Sequence, residues 1–279
     1  MAKPIPVTAP ALITGGSSGI GLAMTRRLVA TGRPVAIMGR DRAKLMEAEA
    51  SLRQGRADAR VLGIKGDVGD SKDVQAAVDA TIDAFGPLGL AVANAGIARP
   101  GQFTEQPLAD HQAQMQTNYF GALHLARAAV PAFAAGTGRL VFVSSGAALI
   151  GIHGYAAYAP SKYAVRGLAE VLRVELAAAG IAVTIAFPPD TDTPQLTEEG
   201  LTKPASTKRF TEGSGIFSAD VVAGDILRAA LKGQFQVTTG TPLAILMRLQ
   251  DLLGPYLRWE QRRAIAAEAR IAATGKPGE

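Results

Sequence analysis

The chain has 279 residues, 48% of them hydrophobic and 19% charged, a balance that builds a proper core and excludes a disordered or fibrous polypeptide. Cysteine is absent, so there is no disulfide framework, thiolate cluster or cysteine nucleophile, and three scattered histidines, His111, His124 and His153, argue against a histidine metal site. A net charge of +5, with no long basic run and no interleaved stacking aromatics, argues against nucleic acid as a partner.

The first ten residues carry Pro4, Pro6 and Pro10 and no apolar signal stretch. No apolar run reaches the roughly 18 residues of a spanning helix, so a cytoplasmic protein is expected. Ala11 to Thr14 reads as a short strand, followed by a Gly/Ser turn and a helical pattern from Leu22 to Thr31. Val35 to Met38 is a second strand, and Asp41 caps a helix running to Leu52. Val61 to Lys65, Leu88 to Ala93, Arg139 to Val143 and Ile181 to Phe187 read as further strands, separated by helical segments of crossover length. This alternation predicts an α/β fold: a Rossmann-type doubly wound parallel sheet in a single domain.

From Pro188 to Gly215 neither period is present, which predicts a long functional loop without regular structure. Ala219 to Leu231 then reads as a helix and Phe235 to Thr238 as a last strand. Residues 241 to 270 read as one long or broken helix, bent near Gly254-Pro255. The organisation expected is a dinucleotide-binding catalytic domain over 1–240, containing a substrate loop at 188–218, and a C-terminal helical extension over 241–279.

Thr14-Gly-Gly-Ser-Ser-Gly-Ile-Gly21 lies between the first strand and the first helix, where a pyrophosphate meets backbone N–H groups and the positive helix end. Gly15 permits the tight turn, Gly19 the close approach of phosphate and Gly21 close helix–strand packing. At the end of the second strand, where a carboxylate would hold the ribose 2′-OH, stand Gly39 and then Arg40. Arg40, with Ser17, suits a 2′-phosphate and hence NADPH/NADP, provided that Asp41 is occupied as a cap. Tyr158 and Lys162 stand four apart on one helix face if Pro160 falls in a first turn, and a nearby ammonium lowers a phenol's pKa towards a range useful for proton transfer. Ser145, at the end of the preceding strand, lies at the carboxyl edge where such sheets bind ligands and is placed to hold a carbonyl oxygen beside Tyr158.

The glycine turn, Asn94-Ala95-Gly96, Asn118 within Thr117-Asn-Tyr-Phe-Gly121, Ser145, Tyr158 and Lys162 together resemble the short-chain dehydrogenase/reductase family over roughly residues 8 to 240. The resemblance implies that Tyr158 is the acid/base, that Lys162 binds the nicotinamide ribose and lowers the tyrosine pKa, that Ser145 orients the substrate carbonyl and that Asn118 holds a water for proton relay. It also implies an adenine contact at Asp67 with Val68, cofactor contacts at Ser18, Ile20, Ala95 and Gly96, and support of the central sheet by Asn94. After the sixth strand, where the family usually has Pro-Gly, this chain has Pro188-Pro189.

The stretch from Ala186 to Pro194, with Thr202-Lys-Pro204 and Lys162 to Glu170, is similar to the branch of that family that reduces the 3-keto group of long-chain keto-sphingoid bases with NADPH. On that likeness Pro188, Thr191 and Thr193 are expected on the nicotinamide side, and Asp190 or Asp192 is placed to pair with a sphingoid amine. Two alternatives stay open: a reductase of another apolar ketone, β-ketoacyl or steroid-like, and a dinucleotide sensor without catalysis. Against the sensor stands the proton-transfer set, which sensing does not need. A homodimer or homotetramer is expected through the helices at about 107 to 133 and 158 to 179, as is common in this family. The C-terminal segment, with Leu243, Leu246, Met247, Leu249, Leu253, Leu257 and Trp259 among Arg248, Arg258, Arg262, Arg263 and Arg270, is expected either to contact the cytoplasmic membrane face peripherally or to pack on protein.

Overall fold

The computed structural model describes residues 4–212 and 215–274. Residues 213–214 of the expected substrate loop and 275–279 of the expected extension lie outside the described residues. The chain runs β1 (Ala11–Thr14), α1 (Gly19–Ala30), β2 (Val35–Gly39), α2 (Arg42–Gly55), β3 (Val61–Lys65), α3 (Ser71–Phe85) and β4 (Leu90–Ala93). Next, α4 (Leu108–Met115) passes through a π-helical turn at Gln116–Phe120 into α5 (Gly121–Ala129), followed by β5 (Gly138–Val143), α6 (Tyr158–Glu175) and β6 (Ile181–Phe187). Beyond these lie β7 (Thr191–Asp192), α7 (Pro194–Thr202), α8 (Ala205–Glu212), β8 (Phe217–Ser218), α9 (Ala219–Leu231), β9 (Gln236–Thr238) and α10 (Thr241–Thr274).

Seven parallel strands pair in the order β3-β2-β1-β4-β5-β6-β9. The order reverses at the β1–β4 pair, so the crevice for a ligand opens at the carboxyl ends of these two strands. Both faces of the sheet are covered. Along β5, Leu140 and Phe142 point into one core with α3, α5 and α6, while Val141 and Val143 point into the other with α1, α2 and α9. That period of two, repeated in β1 by Leu12 against Ala11 and Ile13, is why the strands read as unbroken apolar runs. Asp41 caps α2 by accepting from the Ala43 and Lys44 amides at 2.9 and 3.2 Å, as its position in the sequence implies.

Two expectations are corrected. The segment after β6 is not a structureless loop: Thr193 accepts from the Leu196 amide and Pro194 stands in the first turn of α7, a start signal hidden among many turn formers. Eight-residue α8 is too short to show a period and is held instead by α10, where Glu268 accepts from the Ser206 amide at 3.0 Å. The bend in α10 falls not at Gly254-Pro255 but at Leu249, with φ −121° and ψ 23°. Pro255 lies inside the second segment, where it forfeits one intrahelical bond while the backbone there keeps helical φ/ψ. The Arg166 guanidinium fixes the bend, donating to Gln250 Oε1 at 2.8 Å and to the Ala148 carbonyl at 3.2 Å.

Candidate active site

A cavity of about 430 Å³ opens at the crevice. Its floor is the glycine turn, with Gly15, Ser18, Gly19 and Ile20 on one side and Asn94, Ala95 and Gly96 on the other. Asn94 locks the two strand ends together: its Nδ2 donates to the Thr14 carbonyl at 3.0 Å and to the Gly15 carbonyl at 3.2 Å, while Thr14 Oγ1 accepts from the Asn94 and Ala95 amides. Only glycine fits at 21, where a Cβ would stand 2.2 Å from the Gly15 carbonyl oxygen. Gly19 combines φ +51° with Thr193 Cγ2 at 3.0 Å from a would-be Cβ, so the turn is clasped by the chain after β6. Ser18, the N-cap of α1, makes no side-chain capping bond, and no acid stands in the first turn, so this helix start keeps unpaired N–H groups facing the cavity. A backbone cradle without side chains, at an uncapped helix start, fits a dinucleotide pyrophosphate.

The other wall carries the proton-transfer candidates. α6 begins at Tyr158, so Pro160 does fall in the first turn and Tyr158 and Lys162 share a face. Ser145 lies two residues past the end of β5, its Oγ accepting from the Ala147 amide at 3.1 Å, and its hydroxyl acts on Tyr158 to favour the phenolate. The Lys162 ammonium donates to the Val143 carbonyl at 3.0 Å and lies 5.6 Å from the Tyr158 ring centre. Both residues are buried. Burial raises the Tyr158 pKa above its ordinary 10, the negative charge of Glu199 adds to the rise, and the Ser145 bond opposes it. Burial lowers Lys162 to about 8. The expected lowering of the tyrosine by the lysine is therefore corrected: desolvation of the phenolate sets the direction, and Tyr158 stands as a protonated hydroxyl.

Asn118, in the π-helical turn, is nearly fully buried, its Nδ2 donating to the Ile97 carbonyl and Ser161 Oγ and its Oδ1 accepting from the Ile97 amide. Oδ1 and Lys162 Nζ both border the space over Gly96, at 3.2 and 3.3 Å from a would-be Cβ. Pro188, Pro189, Asp190, Thr191 and Thr193 all line the cavity, and the Pro188 carbonyl accepts from the Gly146 amide at 3.0 Å, joining this loop to Ser145.

Five expected cofactor residues do not line the cavity: Gly21, packed beneath the turn, Ser17 within it, and Arg40, Asp67 and Val68 beyond the neighbouring strand ends. Arg40 is exposed just after β2, and Ser17 Oγ lies over Gly39, 3.5 Å from where a Cβ would be. Asp67 accepts from the Gly69 amide at 2.8 Å, and Val68 turns its side chain inward against Gly121. Of the two acids proposed for an amine, Asp192 is exposed and Asp190 pairs with Lys203 at 3.1 Å, so neither offers an uncompensated charge to the cavity.

Several lining residues escape a reading of the sequence. Tyr155 is buried, donates to Glu199 Oε2 at 2.8 Å and packs its ring 5.5 Å from that of Tyr158. Gln195 donates to Glu199 Oε1 at 2.9 Å. Tyr155 stands in the turn three residues before Tyr158, outside α6, and Glu199 lies in the segment without a period, so no local pattern marks either. Ser144 Oγ donates to the Lys162 carbonyl at 3.0 Å. Ile150, Ile152 and Leu196, with Leu243, Leu246, Leu253 and Leu257 of α10, make the rest of the cavity wall apolar.

Residues 9–203 match the short chain dehydrogenase family. The chain is 37% identical over 258 residues to a 3-dehydrosphinganine reductase of Danio rerio, covering 91% of this chain and 78% of that one. It is 34% identical to a 3-ketodihydrosphingosine reductase of Mus musculus, with the same coverage, and 36% identical to a 3-dehydrosphinganine reductase of Arabidopsis thaliana, covering 85% and 72%. Among solved structures it resembles levodione reductase, with TM-score 0.78 and 25% identity over 85% of this chain and 98% of that one. A short-chain dehydrogenase/reductase from Burkholderia phymatum in complex with NAD shares the fold at TM-score 0.76 and 23% identity, covering 97% and 96%.

Proposed function

The chain belongs to the short-chain dehydrogenase family, and from that premise we propose that it reduces the 3-keto group of 3-ketodihydrosphingosine, a long-chain keto-sphingoid base, to dihydrosphingosine with NADPH. The observation that carries this reading is a single cavity in which the protonated Tyr158 hydroxyl and Ser145 face an apolar wall supplied by α10, beside the glycine cradle. The names of the relatives supply the substrate class.

The nicotinamide cofactor, when bound, supplies the hydride that converts the ketone carbon to CH–O⁻. Tyr158 gives its proton to that oxygen, and Ser145 holds the same oxygen by a hydrogen bond as charge develops there. Lys162, held by β5, presents its ammonium towards Tyr158 and the ribose side of the cavity. Asn118 Oδ1 and Lys162 Nζ flank Gly96, an arrangement that suits a water relaying a proton back to the tyrosine. Gly15, Gly19, Ser18 and Ile20 would hold the pyrophosphate through the backbone, with Ala95 and Gly96 along it and Asp67 and Val68 towards the adenine. Pro188, Thr191 and Thr193 would stand on the nicotinamide side. NADPH over NADH is favoured by Arg40, exposed beside Ser17 and Gly39, while Asp41 is spent on capping α2.

The same reading has the protein as a homodimer or homotetramer. Tyr163, Val171 and Val174 leave an apolar stripe exposed along α6, with Phe120 on the neighbouring helix. It is further read as cytoplasmic and peripheral on the cytoplasmic membrane face. Along α10, Ile245, Leu249, Leu252, Tyr256 and Trp259 are exposed at helical spacing beside Arg248, Arg258 and Arg262, which suits anionic headgroups. Among the described residues no helix is long and apolar enough to cross a membrane.

The deciding assay compares turnover of 3-ketodihydrosphingosine and of a β-ketoacyl thioester, each with NADPH. Preference for the sphingoid ketone supports the reading; equal or faster turnover of the thioester overturns it.

A further inference from the structure

Glu199 is the least explained charge in the cavity. Its carboxylate is buried, at 8% exposure, on α7, and both oxygens are fixed by neutral donors, Oε2 by the Tyr155 hydroxyl and Oε1 by the Gln195 amide. Among the described residues no lysine, arginine or histidine reaches within ion-pair distance of it. The other carboxylate lining the cavity, Asp190, is neutralised by Lys203. Partial compensation comes from the Lys162 ammonium, which feels the Glu199 charge without touching it; burying a carboxylate with no cation in contact is costly, and a ligand that brings one offsets that cost.

We propose that Glu199, steered by Tyr155 and Gln195, is the subsite that binds the substrate's ammonium group and so selects 2-amino ketones over plain ketones. This rests on the assignment of the site as a keto-sphingoid reductase. The chemistry of such a ketone fixes where its charge must lie: the amine is carried by the carbon next to the carbonyl. A carbonyl oxygen held by Tyr158 and Ser145 therefore puts the ammonium within one side chain of Tyr158. Glu199 lines the same cavity as Tyr158 and Ser145 and is joined to Tyr158 through Tyr155, whose ring packs on one and whose hydroxyl hydrogen-bonds the other. A charged acceptor also gives a stronger bond to an ammonium than the hydroxyls and backbone groups elsewhere on this wall.

The placement has a consequence for the acid. The Glu199 charge is felt at Tyr158, where it opposes loss of the proton. An ammonium seated on Glu199 cancels that opposition, so Tyr158 becomes the better donor when the amino ketone is in place. Selection is then expressed in kcat as well as in KM.

The test uses the full-length protein with NADPH and two ketones, 3-ketodihydrosphingosine and its analogue lacking the amine. The wild-type kcat/KM is expected to favour the amino ketone by about tenfold to a hundredfold, the range for a hydrogen bond to a charged group. In Glu199→Gln, which keeps the size and a hydrogen-bonding side chain, the ratio should fall to about one, and Glu199→Asp should restore part of it. Equal kcat/KM for the two ketones in the wild type overturns the proposal without any variant. So does a Gln variant that lowers both rates by the same factor, which marks Glu199 as a structural brace only. Turnover of neither ketone beside turnover of a β-ketoacyl thioester overturns the underlying assignment, and the subsite with it.

Discussion

The Lys162 ammonium donates to the Val143 carbonyl at 3.0 Å, while the Lys162 carbonyl accepts from Ser144 Oγ at the same distance, so α6 and the end of β5 are tied through one residue. Burial lowers this lysine from 10.5 to about 8. Below about pH 8 the fold carries the full cost of a buried ammonium, on the order of 3 kcal/mol. Between about 8 and 10.5 the unfolded chain holds a proton that the native state has lost, so the group's contribution to stability rises with pH. The unfolding free energy of the wild type relative to Lys162→Met is therefore expected to increase across that window in denaturant titrations. A gap independent of pH would mean that the lysine is not desolvated. Tyr158 pulls the other way at higher pH, because its raised pKa lets the unfolded chain deprotonate first.

Tyr158→Phe keeps the ring that packs on Tyr155 but removes the proton donor. Turnover should fall by about 10²- to 10⁴-fold, the scale of general-acid loss, with little change in cofactor affinity. Retention of more than about a tenth of the activity would take Tyr158 out of the role.

Cofactor choice tests the far end of the site. Arg40→Ala should weaken NADPH by about 1.5 to 3 kcal/mol and leave NADH nearly untouched, since only the former offers a 2′-phosphate to the guanidinium. Equal losses for both, measured by fluorescence titration of the reduced cofactors, would make Arg40 a surface residue of the α2 entrance.

What the sequence makes legible is what depends on local chemistry. Strand alternation, the Asp41 cap, the glycine turn and the four-residue spacing of Tyr158 and Lys162 are each written within one short window, and the structure has them where the windows put them. The Tyr155–Glu199 bond joins residues 44 apart, and the substrate wall depends on where α10 lands, neither of which a local pattern encodes. The raised pKa of Tyr158 is illegible for a related reason. The lysine is visible as a neighbour in sequence, whereas the desolvation that sets the direction comes from packing by distant elements.

Membrane contact, the last expectation, needs a sharper probe than deletion of residues 241–279. Leu243, Leu246, Leu253 and Leu257 wall the cavity, and Gln261 bonds the Gly151 carbonyl and the His153 amide, so a deletion would open the active site whatever the segment does at a bilayer. The face available to lipid is the other one, where Leu252 is 75% and Trp259 51% exposed. Leu252→Glu with Trp259→Glu removes that apolar contact and adds repulsion from anionic headgroups without touching the cavity wall. The double variant should lose cosedimentation with vesicles containing phosphatidylserine at low salt while keeping turnover of a short, water-soluble amino ketone. Raising the salt should release the wild type as well, since each arginine near an anionic surface adds only about 1 kcal/mol, and screening removes it. If the wild type ignores such vesicles and the double variant instead lowers the subunit number in sedimentation, the exposed face of α10 belongs to a second copy of the chain, and the membrane reading fails.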